Sequence, residues 1–95
     1  MEITKDRVKE ILRKNGLKVT PQRLEVLKVV ARACYYGEHV NTDAIYKEVR
    51  KVYENLSLAT VYKNLNVLFE EGIVEQYVEN TKEGYGVIYY RLVMR

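Results

Sequence analysis

Few residues in this chain have the side-chain chemistry for catalysis, and those few are isolated. Cysteine and histidine occur once each, as Cys34 and His39. A lone cysteine excludes an intramolecular disulfide and any zinc site built on paired cysteines. Cys34 falls inside an apolar helical pattern, where it is expected to be a buried small hydrophobe. There is no Cys–His pair, Ser–His–Asp set, glycine-rich phosphate loop or carboxylate cluster at helical spacing. The chain is therefore expected to be no enzyme and to need no cofactor. What it does offer suits polyanions. Thr20, Gln22 and Arg23 stand where Thr20-Pro21 opens a helix, and the free amide groups of a helix N-terminus already favour a phosphate. Ser57, Ala59, Thr60, Tyr62 and Lys63 fall in the first turns of a later helix, the part that sits deepest when a helix enters a DNA major groove.

The elements that must position these residues can be read from caps and periodicity. Thr4, an acidic first turn and Val8, Ile11 and Leu12 predict a helix over about residues 4–15, with Gly16 at its left-handed cap. Leu24, Leu27, Val30 and Ala31 share one face of a second helix over about 21–35. Tyr36 to Val40 reads as a connector. Asn41 caps a third helix, about 42–53, whose inner stripe is Ile45, Val49 and Val52. Ser57 caps a fourth, about 58–71, with Leu58, Val61, Leu65, Leu68 and Phe69 within one half of its wheel and Gly72 ending it. The period then changes. Strands are predicted over about 73–79 and 87–93, joined by the turn-forming Asn80-Thr81-Lys82-Glu83-Gly84. The expected fold is mainly α with a small antiparallel β hairpin, a winged helix-turn-helix, in one domain spanning residues 1–95.

Composition narrows the partners. Charge interrupts every apolar stretch, and the N-terminus lacks the apolar core of a signal peptide, so a cytoplasmic protein without a membrane span is expected. The net charge is only +3, but residues 1–24 hold seven basic groups (Lys5, Arg7, Lys9, Arg13, Lys14, Lys18, Arg23) against three acidic ones (Glu2, Asp6, Glu10). The wing and the end of the second helix are rich in tyrosine, at Tyr35, Tyr36 and within Tyr85 to Tyr90. Exposed aromatics favour interfaces, so weak self-association into a homodimer is expected. A second reading stays open: a winged-helix protein-interaction module, docking a partner through that wing, with Glu70, Glu71, Glu75 and Glu79 near the end of the fourth helix.

Several segments carry a closer likeness. Gly16-Leu17-Lys18-Val19-Thr20-Pro21-Gln22-Arg23, Asp43-Ala44-Ile45-Tyr46, Leu58-Ala59-Thr60-Val61-Tyr62-Lys63-Asn64-Leu65 and Glu71-Gly72-Ile73-Val74 resemble the DNA-reading half of ferric-uptake-regulator family proteins. The resemblance covers about residues 6 to 92 and implies a sequence-specific binder of double-stranded DNA, a transcriptional repressor. It implies base contacts from Tyr62 and Lys63, the latter where the family commonly has arginine, and a minor-groove contact from Lys18. Lysine can donate to guanine O6 and N7 but lacks the planar fork of arginine. Tyr62 also reads as a helix-packing residue, and Lys18 as an ordinary loop lysine. Phosphate contacts are expected from Thr20, Gln22, Arg23 and Ser57, and from Lys82 at the wing tip. Full-length family members continue into a dimerising domain with metal sites, and Arg95 stands where that domain would begin. His39 aligns with one family metal ligand, but Arg91 occupies a wing position where the family usually has glutamate. No metal site is therefore expected, with His39 the one weak candidate.

Overall fold

Four short polar side chains start the four helices. Thr4, Thr20, Asn41 and Ser57 have extended backbone, and each side chain accepts a hydrogen bond from the amide three residues on, that of Arg7, Arg23, Ala44 and Thr60 respectively. Each such cap contributes about 1 kcal/mol. In the computed structural model, which describes residues 3–93, they begin α1 (Lys5–Lys14), α2 (Pro21–Tyr35), α3 (Thr42–Arg50) and α4 (Leu58–Glu70). Glu2, counted above among the acidic groups, lies outside the described residues. Helices α1 and α4 end alike. Gly16 and Gly72 take φ of 74° and 73°, and the residue after each donates its amide to a carbonyl five residues back, Leu17 to Leu12 and Ile73 to Leu68, both at 2.9 Å. A side chain at either glycine would be strained by that φ, so the glycines set where the chain leaves each helix.

The two-residue β1 (Val40–Asn41), β2 (Val74–Asn80) and β3 (Gly86–Leu92) form a sheet in the order β1-β3-β2, antiparallel throughout. The expected hairpin is present with a third strand added to it. Val40 and Asn41, read above as connector and cap, pair with Tyr90 and Tyr89. Asn41 therefore caps α3 and extends the sheet together. A two-residue strand is too short to announce itself by alternation, which is why periodicity does not reveal it.

Helix α2 is the centre of the packing, touching α1, α3, α4 and β3. Its Val26 and Ala33 are buried along with the expected Leu24, Leu27, Val30 and Ala31. Val8 and Leu12 of α1, Ile45 and Val49 of α3, and Val61, Leu65 and Leu68 of α4 close around it. Three expectations for the core need correction. Val52 is 57% exposed, because α3 stops at Arg50 and the chain has already turned away. Leu58 and Phe69, at the two ends of α4, are exposed, since only its middle turns lie against α2 and α3. Cys34 is half-buried, on the last turn of α2.

Candidate nucleic-acid interface

Between α3 and α4 the chain makes the turn of a helix-turn-helix, and one arginine holds it. Arg50 donates from Nε (3.2 Å) and Nη2 (2.9 Å) to the carbonyl of Glu54, and its guanidinium lies 5.4 Å over the Tyr46 ring. That ties the turn at Glu54 back to the end of α3. The buried side of α4 is apolar except for Asn64, and the other side presents Ala59, Tyr62, Lys63 and Asn66 to solvent. Tyr62 is 45% exposed, so its ring belongs to the surface. Ser57 at the helix start is exposed, its Oγ 2.9 Å from Oγ1 of the half-buried Thr60. Gln22 of α2 borders the same shallow hollow as Ser57 and Thr60, so the start of α2 and the start of α4 share one surface.

Lys18 is exposed in the loop between α1 and α2. It is joined to α4 through Arg23, which donates from Nη1 to the Lys18 carbonyl (2.9 Å) and from Nε to Oδ1 of Asn64 (3.2 Å). Asn64 in turn donates from Nδ2 to the Thr60 carbonyl at 3.0 Å. It is 7% exposed, a buried amide in the middle of the helix. The expected site residues Lys18, Thr20, Gln22, Arg23, Ser57, Ala59, Thr60, Tyr62 and Lys63 thus lie on three adjoining segments. Lys82 is exposed in the turn of the hairpin, outside those three segments. Sequence reasoning passed over Arg50 and Asn64. For Asn64 a signal existed: a polar residue sits at helical spacing among Val61, Leu65 and Leu68, where a core position is due.

The wing is less aromatic on its surface than its composition suggests. Tyr90 is 2% exposed, filling the core beneath α3. Burial pushes its phenol pKa up, and hydrogen bonds with Thr42 and Gln76 oppose that shift. Tyr77 and Tyr89 are half-buried and stacked on each other at 5.9 Å, and Tyr85 alone of the wing tyrosines is exposed, as are Val78 and Ile88. At the wing root, His39 meets the Tyr77 ring edge-on at 4.7 Å. Arg91 lies over that same ring and pairs with Glu75. Among the described residues no three His, Cys, Asp or Glu side chains come together in a way that could hold a metal ion. His39, Glu75 and Arg91 border one hollow, where the guanidinium is paired with the Glu75 carboxylate. No helix of the described residues is long and apolar enough to cross a membrane.

Comparison with known proteins places this geometry. A sequence model described as the ferric uptake regulator family matches residues 14–89. The chain is 37% identical over 67 residues to the peroxide operon regulator of Bacillus subtilis, covering 70% of this chain and 44% of that protein. It is 38% identical over 65 residues to the peroxide-responsive repressor of Staphylococcus saprophyticus, covering 68% and 42%. The chain thus spans less than half the length of these two relatives. Among solved structures, the ferric uptake regulator of Vibrio cholerae, a protein with DNA-binding domains, superposes with a TM-score of 0.71 at 30% identity, over 90% of this chain and 61% of that one.

Proposed function

Because the chain belongs to the ferric uptake regulator family, we propose that it binds double-stranded DNA sequence-specifically and acts in the cytoplasm as a transcriptional repressor, its residues 1–95 forming one winged-helix domain. The observation that carries this reading is the division of α4, with Val61, Leu65 and Leu68 sealed in the core and Ala59, Tyr62 and Lys63 turned to solvent. In this reading α4 enters the major groove and Tyr62 and Lys63, with Ala59 and Thr60, meet base edges. Lys18 reaches the adjoining minor groove, whose negative potential is greatest where A·T pairs narrow it. Thr20, Gln22, Arg23, Ser57 and Lys82 lie along the sugar-phosphate backbone. Weak pairing of two copies through the exposed Tyr35, Tyr36 and Tyr85 suits a two-fold operator.

Selection of duplexes from a random pool, followed by affinity against salt, tests the function. A recovered consensus and a steep linear fall of log affinity with log salt are the expected results. A shallow slope and no consensus would instead favour a protein partner, for which the exposed Val78, Tyr85 and Ile88 of the wing are the surface to cover.

Metal is expected to have no part in DNA binding by this chain. With Arg91 beside His39, affinity should agree within about twofold between chelator and added Mn²⁺, Fe²⁺ or Zn²⁺, and His39→Ala should bind as the parent does. A gain of about tenfold on adding metal, abolished by His39→Ala, would refute this.

A further inference from the structure

The chain spends a buried amide and an arginine fork on joining two segments that are distant in sequence. Asparagine is a poor residue for a helix interior, because its side chain competes for backbone groups. Leucine at position 64 would continue the apolar stripe of Val61, Leu65 and Leu68. What Asn64 supplies instead is one inward acceptor, Oδ1, which takes the Nε–H of Arg23 at 3.2 Å. The remainder of that guanidinium turns the other way and holds the Lys18 carbonyl at 2.9 Å. The backbone of Arg23 is fixed as well, its amide bonded to the Thr20 cap. The fork is planar and rigid, so two bonds in divergent directions set a distance, which a flexible ammonium cannot do.

We propose that Arg23 and Asn64 form a brace that sets the spacing and phase between Lys18 and α4, making both residues positioning residues for sequence preference. The inference rests on the DNA-binding reading above. A minor-groove lysine and a major-groove helix must meet the same duplex together, and the distance between the two grooves is a property of the DNA. A protein that lets the Lys18 loop drift keeps its charge near the phosphates but loses the register that rewards a narrow minor groove. The brace therefore acts on discrimination more than on overall attraction. It also explains why Arg23, a cation at a helix N-terminus, is drawn inward: its hydrogen bonds run to protein acceptors on either side of it.

The test compares duplexes that share the selected major-groove site but carry either A·T or G·C pairs in its flanks. Arg23→Lys retains the charge and most of the stem. It is expected to fold and to keep the salt slope of the unaltered chain, while its A·T-over-G·C ratio falls to within about twofold of unity. Asn64→Leu should do the same, and Asn64→Asp, which keeps an acceptor facing Arg23, should restore the preference. In the Arg23→Lys background Lys18→Ala should cost no further preference, because the residue it removes is already out of register. Should Asn64→Leu fail to fold, the Arg23→Lys and Asn64→Asp pair still decides. A full A·T preference in Arg23→Lys overturns the brace. So does a uniform loss on A·T-flanked and G·C-flanked duplexes alike, the signature of a phosphate contact. An unaltered chain that binds no duplex overturns the DNA-binding reading and the brace together.

Discussion

Leu65→Ala is expected to destabilise the fold by about 2–5 kcal/mol, the range for truncating a fully buried leucine. Leu65 is wholly enclosed, on the face of α4 that meets α2 and α3. For a chain of 95 residues the whole unfolding free energy is about 5–14 kcal/mol. The variant should therefore melt well below the parent, and it would lose DNA affinity only by depleting the folded population. Tyr62→Ala, three residues earlier on the same helix, should show the opposite pattern. With its ring on the surface it should change stability by less than about 1 kcal/mol and should still lower duplex affinity. Tyr62→Phe should lie between parent and alanine, since the ring supplies the apolar contact. Thermal melts alongside binding curves decide the matter. If Tyr62→Ala melts as early as Leu65→Ala, Tyr62 is a packing residue and its place in the interface is lost.

Lys63→Ala carries the second large effect, on discrimination. Lys63 is exposed, next to Tyr62 and one turn beyond Ala59. If it donates to guanine O6 and N7, its loss should reduce affinity for the selected site by about 1–3 kcal/mol, roughly fivefold to 150-fold, and affinity for scrambled duplex much less. Lys63→Arg should sharpen the preference for guanine at that position, because the guanidinium fork makes two parallel bonds where the ammonium makes one. Equal losses on selected and scrambled duplexes would make Lys63 a backbone contact. The measurement is a pair of binding isotherms at fixed salt, since a shift in salt would move both affinities and hide the difference.

The features that were legible in the sequence are those decided within a few residues. The caps Thr4, Thr20, Asn41 and Ser57 satisfy amides three residues on, and the exits at Gly16 and Gly72 depend on a single backbone angle. What escaped depends on who the neighbour is. Val52 follows the apolar spacing of α3 but comes after that helix has ended, and Phe69 follows the spacing of α4 but overhangs the body it packs against. Tyr90 looked like one of several surface tyrosines, yet the register Gln76↔Tyr90 and Val40↔Tyr90 turns it into the core. Asn64 stood out only as a polar residue on an apolar stripe, and only the fold, bringing it within hydrogen-bond distance of Arg23 forty-one positions away, makes them a pair. The candidate interface was readable as a set of residues. Its internal bracing, through Arg50 and through Arg23, was not, because a bond to a carbonyl or a buried amide leaves no pattern in side-chain type.

The pairing of β1 with β3 also orders events during synthesis. Val40 and Asn41 emerge with α3, but their partners Tyr90 and Tyr89 follow roughly fifty residues later, so that contact closes one of the longest loops in the chain. A nascent chain that has made all four helices still exposes the open edge of β1 and an empty place beneath α3 that the Tyr90 ring will fill. Unpaired edges of this kind recruit other strands. The interval between the appearance of α4 and that of β3 is thus when this protein is most exposed to aggregation. Strand β3 ends it by pairing with β1 and placing Tyr90 in the core in one step.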